Sequence, residues 1–344
     1  MSLSGLPFDD IRALVGMMRG PDEEAMAAVR QRDAELTKPP GSLGRLEDLA
    51  VWVAGWQGKA TPAVRRPLVA IFAANHGLAV HGVSAFPASV TRQMLENFAA
   101  GGAAVNQLCA TFDVGLKVFD LAIDIPTADV LVGPAMDEAG CAATIAFGME
   151  ATAGGSDLLC LGEMGIGNTT SAACIYHALY GGEAADWVGR GTGLDDAGLA
   201  RKVAVVRDAV ALHASDDPLE VLRRLGGREI AALAGAILAA RLQNVPVVLD
   251  GFVVTAAAAV LHAMDATALD HCVAGHRSAE GAHGAVLQRL GLRPLLELDM
   301  RLGEGSGAAL AAQVIRAAVA CHTGMATFSQ AKVDGKLDEA PPAS

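Results

Sequence analysis

The chain has 344 residues, 52% of them hydrophobic and 19% charged, with a formal net charge of −12. That length allows about two domains, or one large α/β core with additions, and the acidic balance argues against nucleic-acid binding and against an anionic membrane surface. Six scattered cysteines (Cys109, Cys141, Cys160, Cys174, Cys272, Cys321) form no CxxC pair, which reads as buried free thiols in a reducing cytosol and not as a zinc site. No segment reads as a membrane span, because the longest apolar run, near 245–261, is broken by Asp250 and Gly251. The N-terminus lacks the basic, apolar and small-residue succession of a signal peptide.

In chain order, residues 1–60 read as helices. Pro21-Asp22-Glu23-Glu24 is a helix start, with proline early and acids in the first turn. That helix should run to about Thr37, before the rigid turn Lys38–Glu47, in which Ser42 can cap the next helix. From Leu68 the character changes: Leu68–Ala74 is an unbroken apolar run, typical of a strand covered on both faces, and ends in Asn75-His76-Gly77. Polar residues at that end of a strand are where α/β folds place ligands, although a single histidine there also serves as a core hydrogen-bonder. Ser89 is a candidate cap for a helix through about Ala100; Phe86, Val90 and Met94 recur at four-residue spacing, as a core stripe or as the wall of an apolar slot.

Leu116–Asp124 reads as a second strand ending in carboxylates, and Asp157–Gly162 as a third. The third runs into Glu163-Met164-Gly165-Ile166-Gly167-Asn168-Thr169-Thr170-Ser171, whose hydroxyls, amide and helix N–H groups suit phosphate oxygens. Gly189–Gly193 (GRGTG) lacks the full GxGxxG and follows no clear strand, so it is not a dinucleotide fingerprint. Arg201 and Lys202 are expected to open a helix reaching His213; a lysine there opposes the helix dipole and hints at a ligand anion, or else points to solvent. A buried helix over 229–244, a strand ending in Asp250-Gly251 and a strand-to-helix junction over His271–Glu280, where Ser278 offers a hydroxyl, follow. Pro294–Met300 is apolar enough for a buried strand, and Arg301-Leu302-Gly303-Glu304-Gly305-Ser306-Gly307 then turns into an Ala-rich helix. Such a turn presents N–H groups and the positive helix end to an anion. Glu304 is there either a helix cap or a general base. A flexible tail is expected over 331–344.

The fold expected from this alternation is α/β: a parallel sheet with helices on both faces, in three layers, plus a helical part. The α/β part is expected over 61–307, after the helices of residues 1–60.

Taken together, the motifs KPPGSLGRLE (38–47), Asn75-His76-Gly77 with Gly82-Val83-Ser84, GEMGIGNTT (162–170), Leu249-Asp250-Gly251-Phe252 and RLGEGSGAAL (301–310) resemble nicotinate-nucleotide–dimethylbenzimidazole phosphoribosyltransferases. The resemblance implies a cytoplasmic homodimer, with a small helical domain built from both chain ends, 1–60 with about 308–330. It implies transfer of phosphoribose from nicotinate mononucleotide to 5,6-dimethylbenzimidazole, with no cofactor or metal. By position, Glu304 matches the general base and Glu163 a second active-site carboxylate. Gly165, Lys202 and Ser278 match phosphate contacts, with Asn168 and Thr169 in the same nucleotide loop. Phe86, Val90, Met94 and Leu302 fall on the acceptor-base pocket. The chain departs from the family pattern at Asn75, where Asp often precedes His-Gly, at Arg277, and at Phe86 and Met94, where one branch has Ser and Gln. Two other classes remain: another phosphoribosyl or nucleoside transferase using a different aromatic base, and a non-catalytic nucleotide sensor, against which the pair Glu163 and Glu304 argues. An NAD-dependent oxidoreductase lacks its fingerprint.

Overall fold

A computed structural model of the protein describes residues 6–335. Five parallel strands form one sheet in the order β2-β1-β3-β4-β5, where β1 is Pro67–Ala73, β2 Gly115–Asp120, β3 Leu158–Met164, β4 Val247–Leu249 and β5 Cys272–Ala274. Six of the seven residues of β1 and six of the seven of β3 are buried. Successive side chains point to opposite faces, so this burial requires cover on both sides, as the apolar runs in the sequence predict. β2 lies at the edge and is mostly exposed or half-buried. The strand ends at Asp120, short of the expected Asp124; Asp120 accepts from the Ile123 amide at 2.9 Å, and Asp124, beyond the strand, pairs with Arg92.

Two compact units emerge: residues 6–20 with 65–313, and residues 21–64 with 314–335. The expected boundaries near 60 and 308 thus fall a few residues later, and the N-terminal helix Pro7–Val15 belongs with the sheet unit. The reason is burial, since Phe8, Ile11 and Val15 join the main core. In the smaller unit Asp22 caps the helix Glu23–Glu35 through the Ala25 amide. Val29, Ala50 and Ala54 form its core, and the turn after the helix is pinned by buried Lys38, paired with Asp33 at 2.7 Å and Glu47 at 2.8 Å. Ser42 does not cap the helix Arg45–Gln57; the N-cap is Gly44, and Glu47 takes the Leu43 amide instead. Of the expected tail, 336–344 lie outside the described residues, while Lys332 closes the short helix Phe328–Ala331. Among the described residues no helix is long and apolar enough to cross a membrane.

Pro294–Met300 is not a buried strand. It pairs beside β5 through one bridge, His276 with Leu296, and Glu297, Leu298 and Asp299 are exposed. The apolar run that suggested burial is therefore an edge segment, held by the Leu295 and Leu296 amides bonding the Ala274 and Gly275 carbonyls at 2.9 and 3.0 Å.

Behind the sheet, the helices Glu138–Gly148 and Arg228–Leu242 cross at glycines. A Cβ on Gly235 would lie 1.8 Å from the Ile145 carbonyl oxygen, and one on Gly148 would lie 1.9 Å from that of Ala232. Backbone cannot yield as a flexible side chain does, so Gly235→Ala must separate the two helices. The expected loss is about 1–3 kcal/mol or more, read as a fall of several degrees in Tm; an unchanged Tm would show that this crossing tolerates a methyl group.

Candidate active site

The sheet register brings the strand ends together. Leu161 of β3 is level with Leu249 of β4, which is level with Ala274 of β5. Glu163, Asp250 and His276 therefore emerge one or two residues further on, at the C-terminal edge, where open α/β sheets bind ligands.

The turn 301–307 folds down onto this edge. Gly303, Glu304 and Gly305 all have left-handed backbones, with φ of 80°, 62° and 72°. For glutamate that conformation costs about 1–3 kcal/mol unless its surroundings hold it. They do so at two points. A Cβ on Gly162 would be 2.4 Å from the Gly305 nitrogen, so only glycine allows this backbone approach, and a Cβ on Gly303 would be 2.6 Å from Glu163 Oε1. Asp250, fully buried, accepts from the Gly305 amide at 3.2 Å and the Ala308 amide at 2.9 Å. The positive end of the helix Ser306–Gly324, expected to face a ligand anion, is thus answered by the protein's own carboxylate.

Carboxyl groups crowd here, and the crowding sets their protonation. Burial drives Glu163 well above the usual carboxylate range, reinforced by Asp250, Glu229 and Glu304 and opposed by a hydrogen bond from the Asn168 amide. Glu304 is pushed up to about 7, first by burial and then by Asp250. Asp250 is itself raised by burial, against the attraction of His276, 3.7 Å away, and its backbone partners. Glu304 Oε2 is buried and has no hydrogen-bond partner, so the carboxyl is free to engage a bound molecule.

Glu304 opens on a cavity of about 320 Å³. Ten of the eleven site residues expected from the sequence line it: Phe86, Val90, Met94, Glu163, Gly165, Asn168, Thr169, Ser278, Leu302 and Glu304. Phe86 and Leu302 are half exposed at 51% and 56%, so the stripe is cavity wall and not core. Ser89 is the first residue of the helix Ser89–Ala99 and not its N-cap, which is Ala88, and Phe86 precedes that helix in a loop. Lys202 does not line the cavity. Its helix, Asp196–Leu212, starts earlier than expected under an Asp195 cap, which puts Lys202 in the second turn, fully buried. Its ammonium donates to Thr169 Oγ1 at 2.8 Å and to the Gly189 carbonyl at 3.0 Å, and burial pulls its pKa down to about 8 against the attraction of Glu280.

Support comes from residues that the sequence left ambiguous. His76 bridges Glu229 (2.6 Å) and Ser171 (3.0 Å), both buried, and so props the Glu163–Asn168 loop. Asn75 accepts from Thr91 Oγ1 at 2.7 Å and donates to the Ile123 carbonyl at 2.9 Å, while Thr91 receives the Ile166 amide at 3.2 Å. An aspartate at 75 could not make that donation, so the departure has a local partner. Arg277 pairs on the surface with Glu297 at 2.9 Å. Residues that sequence reasoning missed are Gly191, Thr192, His276, Glu280 and Arg301, all on the cavity wall. Gly191 and Thr192 lie in the unexplained GRGTG stretch, His276 and Glu280 in the strand-to-helix junction, and Arg301 opens the last turn, but the sequence assigned none of them a role.

The family model described as Phosphoribosyltransferase matches residues 18–333. A Methylocella silvestris protein named nicotinate-nucleotide–dimethylbenzimidazole phosphoribosyltransferase is 67% identical over 339 residues, covering 98% of this chain and 99% of its own. The chain belongs to this phosphoribosyltransferase family. A Rhizobium etli member of the same name is 64% identical over 338 residues, covering 98% of this chain and all of its own. The crystal structure of CobT from Thermus thermophilus has a TM-score of 0.85 and 43% identity, covering 90% of this chain and 99% of that one. The chemistry of the family is therefore phosphoribosyl transfer, and the resemblance drawn from the motifs holds over nearly the whole chain.

A carboxyl group that binds its proton more tightly when folded makes stability fall as pH rises, here between the ordinary 4.5 and about 7. Glu304→Gln removes that penalty. The variant should melt a few degrees above the wild type at pH 8 and alike near pH 4.5, measured by thermal denaturation. A wild type that melts higher at pH 8 would show that the folded protein favours the ionised carboxylate.

Proposed function

We propose that this protein transfers phosphoribose from nicotinate mononucleotide to 5,6-dimethylbenzimidazole, giving α-ribazole 5′-phosphate and nicotinate in assembly of the cobalamin nucleotide loop. The observation that carries the reading is Glu304: a buried carboxyl, poised near neutrality with one oxygen unpartnered, beside an apolar wall of Phe86, Val90, Met94 and Leu302. A flat bicyclic base set against that wall brings its ring N–H to the carboxylate.

The chemistry follows from that placement. The donor's C1′–N bond to the pyridinium breaks, and its electron pair goes to the nicotinate nitrogen. The acceptor's other ring nitrogen attacks C1′ from the opposite face, which inverts the β linkage to α. Glu304, ionised, takes the N–H proton as positive charge develops on the acceptor. Burial and the neighbouring carboxyl groups favour the protonated form of Glu163, which in this reading donates to a hydroxyl of the phosphoribosyl donor. Gly165, Asn168, Thr169 and Ser278 receive the donor's ribose phosphate, with Lys202 acting through Thr169. Holding two rings and a ribose in line supplies much of the remaining acceleration. Atoms and charge balance without a cofactor. A cytoplasmic homodimer, as the resemblance implies, completes the proposal.

Glu304→Gln should keep the fold and donor binding and lose about 10²–10⁴-fold in turnover. In the wild type, turnover should fall as pH drops below about 7, where Glu304 takes up its proton. Near wild-type turnover of the variant would return Glu304 to a structural role.

The wall also predicts selectivity. Two ring methyls should favour dimethylbenzimidazole over benzimidazole by about 1–2 kcal/mol, and the polar edge of adenine should be penalised for want of partners. In competition assays Met94→Gln should raise the share of adenine used. Equal use of both bases by the wild type, with no change in Met94→Gln, would remove Phe86 and Met94 from the acceptor site.

A further inference from the structure

The GRGTG stretch, which is no dinucleotide fingerprint, folds over an acidic side chain. Glu280 is buried and lines the same cavity as Glu304. Both its carboxylate oxygens face the Gly191 amide, at 3.3 and 3.2 Å, and its Oε1 lies 3.9 Å from the Lys202 ammonium. Its own amide donates to Ser278 Oγ at 3.2 Å. Lys202 in turn holds Thr169. A Cβ on Gly189 would sit 2.2 Å from Glu280 Oε1, and one on Gly191 would sit 3.1 Å from Thr169 Oγ1, so glycines let the loop close onto these groups. The loop is tied at two further points, by Arg301 donating to the Gly191 carbonyl at 3.0 Å and by Thr192 Oγ1 accepting the Ala85 amide at 3.2 Å.

An N–H group and a cation converging on one anion, with the Thr169 and Ser278 hydroxyls engaged beside it, make an anion site, and here the anion is the protein's own. A phosphate monoester brings a charge of about −1.5 to −2 at neutral pH. It cannot share the Gly191 amide with a carboxylate, and the two charges repel at this distance. We propose that Glu280 is the resident competitor of the donor's phosphate. Its carboxylate fills the anion site until the donor displaces it from Gly191 and Lys202, and it thereby sets donor affinity. The competition discriminates as well: a small anion without the ribose and ring contacts cannot offset the displacement. This inference rests on the reading that the donor is a 5′-phosphate bound beside Thr169, Lys202 and Ser278.

The test is titration calorimetry of the full chain with ribose 5-phosphate and with inorganic phosphate at low salt, for wild type and Glu280→Gln. The glutamine keeps the shape and can still accept from Gly191, but it carries no charge. Its Kd for ribose 5-phosphate should fall about tenfold, with the gain shrinking as salt rises, and the KM for nicotinate mononucleotide should fall with it. A supporting role for Glu280 in the loop predicts the opposite sign. An unchanged or higher Kd in Glu280→Gln overturns the proposal. Should that variant fail to fold, as judged by its melting transition, Glu280→Ala carries the same expectation and the same criterion. Absence of transfer from nicotinate mononucleotide to dimethylbenzimidazole by the wild type would instead overturn the functional reading, and the phosphate titration would still decide the part played by Glu280.

Discussion

A single buried carboxylate, Asp250, holds the site together. It leaves the end of β4 and reaches the first amides of the helix Ser306–Gly324, more than fifty positions later in the chain. A charge in that position is expensive unless hydrogen bonds and a helix dipole receive it. Both are present, and His276 stands nearby. The bond fixes where the helix begins and so where Glu304, two residues before it, must point. The same charge helps to push the Glu304 proton affinity towards neutrality. Asp250 thus bears on both the position and the protonation of the candidate base, the latter after burial, which raises it most.

The second constraint is steric. Gly162 and Gly305 bring two backbones so close that neither tolerates a side chain. That approach forces three successive left-handed residues, one of them a glutamate. Strain of this kind persists only where packing over-determines it. Here it turns a carboxyl group back over the sheet edge, towards a cavity, where a relaxed turn would send it along the helix to cap its own amides.

Opposite the acidic side of the cavity, charge is arranged differently. Lys202 and Glu280 are both buried and face one another across the GRGTG loop. Desolvation penalises each, and the pair with its hydrogen bonds relieves both. On this side a ligand enters by exchanging partners with groups that are already engaged, whereas Glu304 offers an oxygen that is not. The apolar wall is different again. Phe86 and Leu302 are half exposed, with nothing polar to exchange.

Much of this was legible in the chain itself. The apolar runs at 68–74 and 158–162 mark strands covered on both faces, because an alternating pattern would leave one face to water. Polar residues at their ends mark the ligand edge, and the family motifs single out Glu163 and Glu304. Local patterns carry such information because strand burial and turn chemistry depend on near neighbours. What only the tertiary structure decided depends on groups far apart in sequence. Lys202 reads as a residue near a helix start, and becomes a buried cation because the helix begins earlier and Thr169 and Gly189 close over it. Pro294–Met300 has a strand's composition, but its place at the sheet edge leaves half of it in water. The helix end at Ser306 looks open to a ligand anion in the sequence, and Asp250 answers it in the fold. Burial and charge pairing across β3, β4 and the last turn are properties of the packed molecule, and no window of the chain contains both partners.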